Sequence, residues 1–241
     1  MSGAVRTAGV RGAARAAVHL VTDDRIAFER LVDVVDAAVG AGVDVVQLRA
    51  KSITARELMR QAIALSDVVC GRCLLLIDDR VDVALAARDA GARIDGVHLG
   101  QSDLPPVTAR RLLGADAVIG WTANRPEHLA AASGLPEGTL DYLGTGVIRP
   151  TTTKPDHPPV LGVAGFAALA AATPIPCIAI GGVGVDDVTA LRAAGAAGVA
   201  VVSAICAAAD PGSVAGSLRL AADAPALTPV ADRAALAEVA R

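Results

Sequence analysis

Apolar residues fall into short unbroken blocks separated by stretches with helical spacing, and the alternation repeats eight times. The blocks predict strands at 17–22, 43–48, 73–77, 95–99, 117–121, 140–143, 176–180 and 198–202. After the first of them, Phe28, Leu31, Val32, Val35 and Val39 recur at the three-and-four spacing of one helix face. Runs such as "CLLLI" at 73–77 have no polar alternate, as expected for a strand covered on both faces. Eight strand–helix alternations in 241 residues predict the α/β class and a single (β/α)8 TIM barrel. An open doubly wound sheet needs fewer strands and a glycine-rich turn after the first, where "VTDDR" stands instead. Gly91 and Gly195 mark helix ends, Pro126 a helix start, and Asp210-Pro211 opens a further helix. Residues 1–16 read as a disordered tail, 17–223 as the barrel, and 224–241 as a tail or short helix.

Composition then narrows the function. The formal net charge is −3, and no basic run interleaved with aromatics occurs, which argues against nucleic acid. Any anion site must be local. No charged residue lies between Asp156 and Asp186, yet Pro174, Pro176 and the following glycines break that stretch well short of a membrane span. Residues 1–16 lack the apolar segment of a secretory signal, so a cytoplasmic location is expected. "CGRC" at 70–73 has redox spacing, but Cys70 ends a helical pattern and Cys73 opens a strand, not the junction that activates a thiolate. Cys177 and Cys206 are isolated, and the four histidines show no metal-ligand spacing.

A barrel of this kind carries its chemistry in the loops that follow its strands. The polar residues sort there: Gln47, Arg49 and Lys51 after the second strand, Asp78 and Asp79 after the third, and Asp103 after the fourth. Trp121 and Thr122 end the fifth strand, and "GTGVIRPTTTKPD" (144–156) follows the sixth. "IGGVG" (180–184) and "VVSAI" (201–205) complete the set. Singly, each has a plain structural alternative. Asp78 and Asp79 could cap the next helix, Asp103 a helix near Pro105, and His98 reads as a packed, hydrogen-bonded side chain. Together they offer two anion sites. Glycine backbone after strands seven and eight suits a monophosphate. The separated carboxylates Asp79 and Asp103 suit Mg²⁺, with Arg49, Lys51 and Lys154 for the remaining oxygens of a diphosphate.

In this order the segments "VVQLRAKS", "LLLIDDRVDVAL", "GVHLGQSDLP", "DYLGTGVIRPTTTK", "IPCIAIGGV" and "GVAVVSAICAAADP" resemble thiamine phosphate synthases over about residues 17–215. The resemblance implies a transferase joining 4-amino-5-hydroxymethyl-2-methylpyrimidine diphosphate to hydroxyethylthiazole phosphate. By position it implies that Gln47, Leu48, Arg49, Ala50, Lys51, Asp78, Thr122 and Lys154 bind the pyrimidine diphosphate. Thr151, Thr152, Thr153, Gly182, Val202 and Ser203 would hold the thiazole phosphate, and Asp79 and Asp103 the Mg²⁺. Lys51, Lys154 and Thr122 are its expected catalytic residues. Its partners would be these small molecules, with neither nucleic acid nor membrane, and a homo-oligomer is compatible with the pattern. Three positions depart from the family. Asp78 stands where asparagine is usual, Thr122 where serine is, and Arg149 where a hydrophobic residue is common, which suggests an added phosphate contact. The rival readings are a thiazole tautomerase of the same fold, which would not need the metal carboxylates, and a non-catalytic barrel that binds a phosphorylated ligand.

Overall fold

The computed structural model describes residues 17–151 and 159–224. Eight parallel strands, β1 (Val18–Val21), β2 (Val45–Leu48), β3 (Leu74–Asp78), β4 (Gly96–Leu99), β5 (Val118–Thr122), β6 (Tyr142–Gly146), β7 (Cys177–Ile180) and β8 (Gly198–Val201), close into one barrel. Each strand pairs with its neighbours in sequence, and β8 returns to β1 through the register Val18↔Val199. Around them lie α1 (Phe28–Gly40), α2 (Ala55–Val69), α3 (Val81–Asp89), α4 (Pro106–Leu113), α5 (Pro126–Ser133), α6 (Gly162–Ala171), α7 (Val188–Ala193), α8 (Ser203–Cys206) and α9 (Pro211–Asp223). Local chemistry sets several boundaries. Thr54 accepts a hydrogen bond from Glu57 N to start α2, which ends where Cys70 and Gly71 turn left-handed. Asp210 caps α9 by accepting from Ser213 N, with proline next in line.

Alternation along the strands divides the apolar residues into two cores. Val21, Val45, Leu76, Val118, Tyr142, Ile178 and Ala200 fill the barrel interior. Their neighbours, such as Leu48, Leu75, Ile77, Val97, Ile119 and Leu143, pack in the helix layer. Glycines on the strands leave room for the large rings of the interior. A Cβ at Gly120 would lie 2.2 Å from the Tyr142 ring, and one at Gly144 would lie 2.8 Å from His98 Cε1.

The observed strands track the predicted blocks to within a residue or two except at β6, which was expected to stop at Leu143 but runs to Gly146. The alternation Gly144-Thr145-Gly146 reads as loop because glycine is a poor strand former. Here it is the only residue that fits: a Cβ at Gly146 would sit 2.0 Å from the Ile180 carbonyl oxygen.

At the opposite end from the strand C-termini, one device occurs three times. An aspartate just before an even-numbered strand donates its own N–H to a carbonyl of the preceding strand and accepts that same residue's N–H on Oδ2. Asp44 does this with Val18 (3.0 and 2.9 Å), Asp95 with Leu75 (2.8 and 2.9 Å) and Asp141 with Ile119 (2.9 and 2.7 Å). Each is ion-paired with an arginine: Arg219, Arg93 and Arg110, respectively. Ala197 holds the equivalent place before β8, donating to Cys177 O at 2.9 Å but offering no carboxylate in return.

Candidate active site

The strand C-termini surround a cavity of about 620 Å³. Gln47, Arg49, Lys51, Asp78, Asp79, Asp103 and Thr122 line it, as do Thr151, Gly182, Val202 and Ser203. These expected residues come from several different strand-to-helix connections, and the barrel brings them together.

The loop after β2 owes its shape to the loop after β1. Thr22 Oγ1 accepts from Arg49 N at 2.8 Å and donates to Arg49 O at 3.2 Å, and Asp24 Oδ2 accepts from Lys51 N at 2.8 Å. These bonds present Arg49 and Lys51 to the cavity and give "VTDDR" its role. Leu48 and Ala50 do not line it. Successive strand residues face opposite ways, so Leu48, fully buried, belongs to the helix layer, and Ala50 packs against that same core.

Asp78 and Asp79 are adjacent yet both reach the cavity, which an extended backbone would forbid. Asp79 resolves this by turning left-handed, with φ 60°, a conformation that aspartate tolerates better than most residues. Its N–H donates to His98 O at 2.7 Å. Neither aspartate caps α3, whose N-cap, Arg80, makes no side-chain capping bond. Asp103 likewise folds back, accepting from Gly100 N at 2.7 Å, rather than capping α4.

Charge is concentrated on this side of the cavity. Lys51 Nζ lies 2.7 Å from Asp78 Oδ2 and in direct contact with Asp79 Oδ2, and Arg49 Nε is 3.8 Å from Asp78 Oδ2. Burial, reinforced by the Asp79 charge, pushes the Asp78 carboxyl up to about 6 despite Lys51. Burial also opposes ionisation of Asp79, but its bonds with Lys51 and Asp103 prevail and lower it. Asp103 is raised by burial and by facing Asp79. Burial works against the Lys51 ammonium, yet Asp78 and Asp79 outweigh it and raise its pKa. Asp79 and Asp103 line the same cavity, a pair of hard-oxygen carboxylates whose chemistry fits Mg²⁺. Among the described residues no group of three or more His, Cys, Asp or Glu side chains is placed to hold a metal ion.

Thr122 is held from below. His98 Nε2 is 3.0 Å from Thr122 Oγ1, while His98 Nδ1 is 2.9 Å from the Tyr142 hydroxyl. On the other side of the cavity, Gly181 and Gly182 have φ of 97° and 66°. A Cβ at Gly182 would lie 2.8 Å from the carbonyl oxygens of both Arg149 and Pro150.

The thiamine monophosphate synthase family model matches residues 18–205. The chain belongs to that family. It is 46% identical to the thiamine-phosphate synthase of Albidiferax ferrireducens, over 86% of this chain and 92% of that one. For the thiamine-phosphate synthase of Corynebacterium efficiens the identity is 45%, over 79% and 88%. Among solved structures, the thiamine phosphate pyrophosphorylase of Pyrococcus furiosus superposes with a TM-score of 0.74 at 29% identity, covering 87% of this chain and 96% of that one.

In this member of the thiamine monophosphate synthase family, the loop after β6 also carries Arg149. Arg149 does not line the cavity. Its guanidinium binds Asp187 Oδ1 (Nε 2.7 Å), and Asp187 Oδ2 accepts from Gly184 N at 3.0 Å, so the pair ties the loop after β6 to the glycine turn after β7. Thr152, Thr153 and Lys154 lie outside the described residues, as do the tails 1–16 and 225–241. His98, Gln101, Ser102 and Asn124 line the cavity without having been singled out as ligands. Their position within a few residues of the ends of β4 and β5 was the available signal. Cys70 and Cys73 are free thiols, and burial pushes Cys73 up to about 12, which suits packing rather than redox chemistry. No helix among the described residues is long and apolar enough to cross a membrane.

Proposed function

We propose that this protein joins 4-amino-5-hydroxymethyl-2-methylpyrimidine diphosphate to hydroxyethylthiazole phosphate, yielding thiamine phosphate and diphosphate. Family membership gives the transferase class, and one observation carries the reading of the site: Asp79, Asp103, Lys51 and Arg49 share a cavity with the left-handed glycines after β7. Two phosphorylated ligands thus have chemically different ends in one space.

In this mechanism the methylene–oxygen bond of the pyrimidine substrate breaks, its electron pair leaving with diphosphate. The thiazole nitrogen then donates its lone pair to the pyrimidine-methyl cation, closing the new carbon–nitrogen bond. No protein nucleophile is required. Lys51 and Arg49 face the leaving oxygens, where negative charge grows as the bond breaks. Lys154 is assigned to the same task. Thr122, oriented by His98, takes the pyrimidine ring, and Gly182 with Ser203 takes the thiazole phosphate through main-chain N–H groups.

The charge balance supports a metal requirement. The described lining has two cations, Arg49 and Lys51, against the carboxylates of Asp78, Asp79 and Asp103. On these described residues alone, a diphosphate would meet excess negative charge. Mg²⁺ held by Asp79 and Asp103 would offset it and stabilise the leaving group. The proposed compartment is the cytoplasm, with these metabolites as partners.

The test is direct. Purified protein incubated with both substrates and Mg²⁺ should form thiamine phosphate and diphosphate in equal amounts. Absence of thiamine phosphate at any Mg²⁺ concentration would overturn the assignment. Lys154→Ala should lower turnover at least about a hundredfold if that lysine stabilises the leaving group, the scale seen when one such donor is removed.

A further inference from the structure

We propose that Asp78 is a positioning residue for Lys51, keeping its ammonium at the rim of the carboxylate pair so that a divalent cation enters by exchange at Asp79. The inference rests on the proposed metal and diphosphate site and concerns how this chain's own side chains prepare it.

One ammonium faces two carboxylates. Lys51 Nζ contacts Asp79 Oδ2 directly and lies 2.7 Å from Asp78 Oδ2. Asp79 also shares the cavity with Asp103, so Lys51, in contact with Asp79, occupies one flank of the proposed cation position. A divalent ion and an ammonium compete for that carboxylate oxygen. Lys51 and its Asp78 partner differ in burial: the lysine side chain is 46% exposed, whereas that of Asp78 is 8% exposed and fixed on a barrel strand. Asp78 Oδ2 accepts no directional hydrogen bond, so the ion pairs with Lys51 and Arg49 are what offset its burial. Lys51 displaced from Asp79 therefore has a second anion within reach, and the ammonium stays where the diphosphate oxygens arrive. With an amide at position 78, Lys51 would have Asp79 alone and would compete with the cation for it at full strength.

This differs from a simple sum of charges. If Asp78 and Lys51 acted only as independent point charges, removing Lys51 would tighten cation binding by the same factor whatever stood at position 78. Exchange predicts that the factor depends on Asp78. Binding of Mn²⁺, an oxygen-seeking divalent probe, can be followed by the resonance signal of the free ion, without substrates, in six proteins: wild type, Asp78→Asn and Asp78→Glu, each with and without Lys51→Met. Lys51→Met should tighten Mn²⁺ binding by no more than about threefold in the wild-type background and by about tenfold or more in the Asp78→Asn background. Asp78→Glu, which restores a carboxylate anchor, should return the Lys51→Met effect toward the wild-type value. Equal factors in the wild-type and Asp78→Asn backgrounds would overturn the proposal, as would an Asp78→Glu protein that behaves like Asp78→Asn. Far-ultraviolet circular dichroism of each protein shows whether it is folded. Because the readout uses no substrate, missing coupling leaves the proposed reaction standing, and missing thiamine phosphate formation leaves the coupling measurable.

Discussion

Gly182 shows how one residue can be fixed by backbone geometry at the edge of the cavity. Its φ of 66° disfavours any other L-residue by about 1–2 kcal/mol, and the nearby Arg149 and Pro150 carbonyls leave no room for a methyl. Gly182→Ala should therefore lower thermal stability by that order and raise KM for the thiazole phosphate more than KM for the pyrimidine diphosphate, by steady-state kinetics with each substrate varied. Gly144→Ala acts at the other side of the cavity. The new methyl would press on His98, which orients Thr122, so KM for the pyrimidine diphosphate should rise, alongside an overpacking cost of about 1–3 kcal/mol in urea unfolding. Cavity-lining residues such as Lys51, Asp79 and Asp103 were legible in the sequence because each stands a few positions past a strand end. Partnerships were not. Arg149 finds Asp187 across 38 residues of chain, and only the folded barrel shows that this guanidinium is committed to a carboxylate. Leu48 faces away for a simpler reason: it neighbours lining residues in sequence, but strand alternation turns its side chain to the other side.

At the scale of elements, hydrophobic blocks located the strands because a strand covered on both faces has no choice but to be apolar. The exception, β6, ends in glycines whose value lies in what they leave empty for His98 and Ile180, which a propensity argument cannot register. The repeated aspartates before β2, β4 and β6 were equally invisible, since one acid beside an apolar block looks like turn chemistry. Asp141 is the most buried of these pairs, with its side chain 2% exposed and that of Arg110 14%. Asp141→Ala should destabilise the fold by about 3–5 kcal/mol, since it leaves a guanidinium and an amide N–H without their shared acceptor. Turnover per folded molecule should change little, because the residue lies on the face away from the cavity. Chemical denaturation paired with active-site titration separates the two effects.

For the whole molecule, the barrel converts sequence-distant loops into one surface on which, among the described residues, carboxylates outnumber cations. Chelating divalent ions should abolish turnover, and added Mg²⁺ should restore it. The affinity for the pyrimidine diphosphate should depend more steeply on Mg²⁺ in this protein than in Asp78→Asn, because a third carboxylate must be offset. Matching Mg²⁺ dependence in the two proteins would count against that role for Asp78.

The carboxylate of Asp44 joins the two extremes of the barrel's chain path. Its Oδ2 receives the N–H groups of Ala17 and Val18 at 2.8 and 2.9 Å and the Arg219 guanidinium of α9 at 2.6 Å. The first strand and the last helix are thereby moored to a single atom, which makes that corner a natural splice point. A circular permutant in which a short linker joins residues 17 and 224, with new ends opened in the loop before β8 where Ala197 offers no such mooring, should fold and retain its cavity.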